Sequence, residues 1–170
     1  MPILPSEIKF YHSGGSGNTN PNSSLGGAIS TTELGSGIHN LFDIVSSAEA
    51  ASGDSEYRCF YVKNTNATLT LLAVKLWINA DNTGAGSDIQ IALDNSGING
   101  TASVIANENT APTQISAAFS SYSSEDLALS IGNIPAGQHQ AIWLKRIVNA
   151  GAPSINNANV TIIVKGDTPA

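Results

Sequence analysis

Apolar and polar side chains alternate with a period of two along most of the patterned segments of this 170-residue chain, and that period marks half-buried β-strands. The clearest case is residues 68–79, where Leu72, Val74, Leu76 and Ile78 fall on one face together with Thr70, while Lys75 and Trp77 take the other. Residues 56–63 form a second long run just before it. Asn64-Thr65-Asn66-Ala67 between them reads as a turn, so the two runs are expected to make an antiparallel hairpin. Ile89, Ile91 and Leu93 alternate with Gln90, Ala92 and Asp94, and Leu127, Leu129 and Ile131 mark a short strand ahead of a tight turn at Pro135-Ala136-Gly137. Residues 139–148 follow that turn, and residues 159–165 close the series with Val160, Ile162 and Val164 on one side. Residues 7–12, behind Pro5, supply a first short strand, and residues 47–51 allow a single helical turn. Strands separated by Gly, Asn and Pro turns, with almost no helical period, predict an all-β fold, an antiparallel β-sandwich. A jelly roll and an Ig-like Greek key are both compatible with the pattern.

One stretch breaks the rhythm. Residues 13–37 are almost wholly Gly, Ser, Asn and Thr, with Leu25, Ala28, Ile29 and Leu34 as the apolar anchors. A compact domain rarely contains so long a loop without structure of its own, so the stretch is expected to be an arm or long loop that is either disordered or ordered by a partner. The expected organisation is therefore an N-terminal strand and extended arm over residues 1–37, then a sandwich domain over residues 38–170. A chain of this length is expected to bury a single core.

Composition narrows the partners. Charged residues make up only 12% of the chain, about half the usual share, so Ser, Thr, Asn, Gln and Gly must cover most of the surface. Such a surface carries little charge to desolvate on contact and suits a protein that lies against other proteins or sugars. The net charge is −6, and the seven Lys and Arg are scattered apart from the pair Lys145-Arg146. That leaves no footprint for a phosphate backbone, so no nucleic-acid partner is expected. The N-terminus lacks a basic and apolar leader pattern, and no apolar run approaches the roughly 18 residues of a membrane helix. A soluble, cytosolically made chain without a membrane partner is expected.

Candidate chemistry is sparse. Cys59 is the lone cysteine and lies in the apolar run 57–62, which favours a buried thiol over a nucleophile. His12, His39 and His139 show no metal-ligand spacing. No G-x-S-x-G elbow is present, and Glu125-Asp126 are adjacent, so neither a Ser-His-Asp triad nor a converging glycosidase pair is indicated. Residues 81–88, from Asp81 to Asp88, are oxygen-rich but lack an EF-hand register, which favours a plain connection. Sequons at Asn22, Asn66, Asn99 and Asn159 would matter only in a secretory pathway. Trp77 and Trp143 sit among aliphatic neighbours; a core or interface role is favoured over a sugar-stacking platform. The expectation is a protein that is not an enzyme, with no cofactor, no metal and no catalytic residues.

Three segments carry a family resemblance. Leu41-Phe42-Asp43-Ile44-Val45-Ser46, the run 56–66, and Ile134-Pro135-Ala136-Gly137-Gln138 with the run 142–151 resemble virion structural proteins of tailed bacteriophages, in particular small β-sandwich decoration or cement proteins of the capsid. The resemblance spans roughly residues 40–151 and rests on strand and turn patterns. It implies a protein that binds the major capsid protein on the outer surface of the head, stabilises it, and associates with itself as a symmetric dimer or trimer. It also implies synthesis in the bacterial cytoplasm and residence in the virion. A carbohydrate- or receptor-binding sandwich of a phage tail is the alternative.

Overall fold

The structure, a computed structural model, describes residues 2–156 and 158–169. Eight strands form two antiparallel sheets that pack face to face: β1 (Ile8–His12), β2 (Asp54–Asn64), β3 (Leu71–Asp81), β4 (Ser87–Asp94), β5 (Ile115–Ser120), β6 (Leu129–Ile134), β7 (His139–Val148) and β8 (Val160–Asp167). The larger sheet has the order β1-β2-β7-β4-β5 and the smaller one β6-β3-β8. Among the described residues one short α-helix, α1 (Ser47–Ser52), begins with a capping box in which Ser46 and Glu49 satisfy each other's backbone N–H groups. The all-β sandwich expected from the alternating pattern is the fold observed.

The pairing resolves the topology left open by the sequence. β4 pairs β5, β3 pairs β6, and β2 pairs β7, so the chain from β2 to β7 is a nested antiparallel ribbon. Rolling that ribbon brings β7 against β4 as well, with register from Ser87↔Val148 to Leu93↔Ile142. This is the wrapping of a jelly roll, with β1 added outside β2 and β8 outside β3. The expected hairpin of residues 56–79 does not form, because β2 and β3 lie in different sheets. Asn64 explains the departure: its buried side-chain amide donates to the carbonyls of Leu69 and Ile134 while its oxygen accepts from Asn66 N, turning the chain across the sandwich. The expected strand position at Leu127 also fails, since this residue precedes β6 and is exposed.

The main core lies between the sheets and joins Phe60 and Val62 of β2, Val74, Leu76 and Ile78 of β3, and Ile142 and Leu144 of β7. β3 changes face partway along. Ala73 has a φ of 48° and a register shift separates Leu71 from Val74, so Leu71 turns inward and Leu72 leaves the core. A second apolar layer covers the outer face of the larger sheet, where Tyr57, Cys59, Tyr61, Ala92, Ala141 and Trp143 are buried. A single core was expected; the second layer exists because two irregular segments lie over that face and exclude water from it.

Candidate functional site

The first of those segments is the Gly, Ser and Asn stretch. The arm expected to project from residues 13–37 instead folds onto its own domain. His12 N donates to Thr32 O and Ser30 N donates back to His12 O, so the stretch returns beside the end of β1. Cys59 N donates to Ser24 O, joining it to β2. Leu25 and Ile29 then pack into the outer apolar layer. The second segment runs from Asn99 to Glu108 and supplies Ala102 and Ile105 to the same layer. Gly27 N donates to Ala102 O at 2.9 Å and Ile105 N to Leu25 O at 3.0 Å, so the two segments are knit to each other as well as to the sheet. Gly26 has a φ of 92°, and a Cβ there would strike the Ser103 carbonyl, so only glycine admits this approach.

Tyr61 ties this cover to the sheet. Its hydroxyl donates to Gly27 O at 2.6 Å and accepts from Ala102 N at 2.9 Å, one bond to each segment. A shallow groove of about 500 Å³ remains between them, lined by Asn22, Leu25, Gly26, Gly27 and Val104 among others. Its walls are mainly backbone and aliphatic side chains, with Asn22 and Ser23 as polar members.

A buried ionic cluster lies behind the groove. On the inward face of the larger sheet Glu56 of β2 stands opposite Arg146 of β7 and forms an ion pair with it. Arg58, fully buried on the same face, pairs with Glu108, and Arg146 also reaches Asp43. Phe42 caps both guanidinium groups, 5.5 Å from Arg58 and 4.9 Å from Arg146. Burial raises the Glu56 carboxyl above the usual range, against the opposing pull of Arg146. Asp43, Glu56 and Glu108 bring carboxylate oxygens within 4.8 Å of one another, the spacing of a cation site. Two arginines already occupy them, so the cluster reads as structural: it pins the loop at Asp43 and the segment at Glu108 to the sheet.

The other candidate residues are dispersed. His12 is buried with Nδ1 3.1 Å from Ser24 Oγ, His39 is exposed, and His139 packs edge-on against Tyr61 at 4.9 Å between ring centres. His12 and Ser24 are the nearest approach to a nucleophile and base, but both are buried, and among the described residues no carboxylate hydrogen-bonds the imidazole. Cys59 is fully buried, and burial pushes its thiol far up, which suits a small core side chain. Asp81 caps its own turn through Thr83 N and Oγ1, Asp88 accepts from Gln90, and Glu125 pairs with Lys165 at 2.5 Å. Asn22 and Asn99 are exposed, whereas Asn66 is occupied by Glu7, Thr68 and Leu69. Trp77 is 7% exposed and Trp143 is completely buried, so neither offers a platform for a sugar ring.

Sequence reasoning missed the ionic cluster and the cover. Both had a signal. Residues 57–62 and 141–144 are continuous runs in which both faces are buried, and a strand apolar on both faces needs a layer on each side. No family model, curated protein or solved structure matches this chain.

Proposed function

We propose that this protein is a non-enzymatic structural module that docks on the outer surface of a tailed-phage head, against the major capsid protein, and stabilises the lattice. One observation carries the reading. The three most exposed large hydrophobic residues, Ile38 at 84%, Ile44 at 72% and Val104 at 71%, belong to the loops at residues 35–46 and 99–108 that the ionic cluster braces. Asn22 in the groove wall bonds Asp43, next to Ile44, which links the aliphatic residues to the groove. Aliphatic side chains displayed on braced loops lose little conformational freedom on docking.

Several other features support it. Jelly-roll sandwiches recur in capsid proteins, an association of fold rather than of site. The sparse charge suits repeated contact with a lattice, where many weak sites act together. Self-association as a dimer or trimer and residence on the virion belong to the same reading. The sugar-binding alternative loses its main support with the burial of Trp77 and Trp143.

The test uses the full chain and expanded heads built from the major capsid protein of the virus that encodes it. Saturable co-sedimentation is expected, and Ile44→Asp combined with Val104→Asp should weaken it at least about tenfold, the effect of about 1.4 kcal/mol. Thermal unfolding of that variant should match the parent, because both positions are exposed. Failure of the parent chain to bind heads overturns the function, and equal binding by the variant overturns the face.

A further inference from the structure

Each of the two segments over the larger sheet is fastened to a histidine. His12 holds the first by three bonds: its backbone N–H to Thr32 O at 3.1 Å, its carbonyl from Ser30 N at 2.8 Å, and its ring to Ser24 Oγ at 3.1 Å. His139 holds the second, its carbonyl accepting from Asn99 N at 2.7 Å and its ring packed against Tyr61, whose hydroxyl bonds both segments. Because the segments also bond each other, they constitute one cover, which the bond of Cys59 N to Ser24 O and the ion pairs Lys9–Glu33 and Arg58–Glu108 fasten as well. Beneath it lie Tyr57, Tyr61 and Trp143, the aromatic part of the outer apolar layer.

The surroundings of each ring set its response to protons. On the first segment His12 meets the Ser24 hydroxyl; on β2 its register partner is Phe60, and the next residue along that face is Arg58, already engaged by Glu108. His139, half-buried, faces the neutral Tyr61 ring, has a backbone hydrogen bond with Gly100 that favours its charged form, and stands opposite Lys63 on β2, whose charge opposes protonation. Asp94 on β4 is the one buried carboxylate of the outer layer, and it is engaged by Trp143 Nε1 and Ser96 N. Both rings therefore lack a free carboxylate partner that would reward a positive charge. Burial, the leading cause for each, holds both imidazoles below the usual histidine range.

We propose that the segments at residues 13–34 and 99–108 form a single proton-operated cover that lifts from the larger sheet in mild acid, while the rest of the sandwich stays folded. Lifting returns both imidazoles to water, where they titrate near about 6.5. The open form then binds more protons than the closed one. Closure is fully stable above that pH and weakens as pH falls, by about tenfold in the opening constant per pH unit for each proton taken up. The cover can separate from the sandwich because it holds no strand of either sheet.

Native-state hydrogen exchange of the full chain, corrected for intrinsic rates, decides the matter between pH 7.5 and pH 5. The opening constant for amides of residues 24–32 and 99–106 should rise as pH falls below about 6.5, with a slope approaching about tenfold per pH unit for each proton taken up, while amides of residues 74–78 keep their protection. His12→Asn with His139→Gln, each keeping polar character, should flatten the slope of the cover. Cover and sheet amides opening together, or an unchanged slope in the double variant, would overturn the proposal. NMR titration of the two imidazoles in the parent chain serves if the double variant does not fold. Midpoints at or above about 6.5 refute the proposal, and midpoints below about 6.5 support it only where the exchange of residues 24–32 and 99–106 in the parent chain rises over the same pH range.

Discussion

Trp143 donates its indole N–H to Asp94 Oδ2 at 2.8 Å, and both side chains are buried on the outer face of the larger sheet. The carboxylate also accepts from Ser96 N at 2.8 Å, and the Asp94 carbonyl accepts from Gln140 Nε2. A buried carboxylate survives because donors surround it, so removing one donor costs its desolvation as well as the bond. Trp143→Phe keeps an aromatic ring but withdraws the N–H and part of the volume. A loss of about 2–4 kcal/mol is expected, read as a lower urea midpoint at unchanged slope. A loss under about 0.5 kcal/mol would show that Asp94 does not depend on the indole.

Glu56 and Arg146 form a cross-strand pair on the inward face, so removing one partner leaves the other buried without compensation. Glu56→Gln should destabilise by about 3–5 kcal/mol. Arg146 would still be held by Asp43, which places the expected value toward the lower end. Replacing both, with Glu56→Leu and Arg146→Met, should recover much of the loss, since well-packed apolar side chains often match a buried ion pair in stability. Denaturant unfolding of Glu56→Leu, Arg146→Met and the double variant gives the coupling directly. A double variant as weak as the sum of the singles would mean that the two residues act independently.

The sandwich was legible because strands such as β4 and β8 keep one face inward without interruption, and a period of two survives at the level of single residues. Four features were not legible, each for a physical reason. The corner at Asn64 has the composition of a hairpin turn, and only the reach of its amide to Ile134, seventy positions away, sends the chain to the other sheet. The bulge at Ala73 reverses Leu71 and Leu72 without altering the pattern around them. Residues 13–37 hold few apolar groups and read as an arm, yet their ordering comes chiefly from backbone bonds to β1, β2 and the segment at residues 99–108, to which side-chain composition is blind. The ionic cluster was hidden because its members are spread from Asp43 to Arg146.

Tyr61 supplies one hydroxyl to two backbone partners, Gly27 O and Ala102 N, in a layer from which water is excluded. Burial also pushes its phenol well above the usual tyrosine range, so it remains a neutral donor and acceptor at ordinary pH. Tyr61→Phe leaves both backbone groups unpaired while preserving the ring. Local exchange at residues 25–29 and 100–105 should accelerate by about tenfold to a hundredfold, the effect of about 1–3 kcal/mol. Amides in β3 should change much less. Uniform acceleration across both sheets would mean that the hydroxyl supports the whole sandwich rather than the cover.

Ala73 is exposed, with a φ of 48°, and its N–H donates to Asn133 Oδ1 at 2.9 Å. A side chain with a Cβ is disfavoured there by about 1–2 kcal/mol, while glycine adopts the region freely. Ala73→Gly removes that strain but adds freedom to the unfolded chain, which offsets about 0.4–1 kcal/mol. The balance favours glycine by about 0.5–1 kcal/mol. For a chain of this size that raises Tm by about 1–4 °C. Ala73→Val should act oppositely, because a β-branched residue is a worse occupant of the left-handed region than alanine. Differential scanning calorimetry of the three chains tests the order glycine, alanine, valine. A valine variant as stable as the parent would show that the bulge relaxes to negative φ, and the exchange of faces between Leu71 and Leu72 would then need another cause.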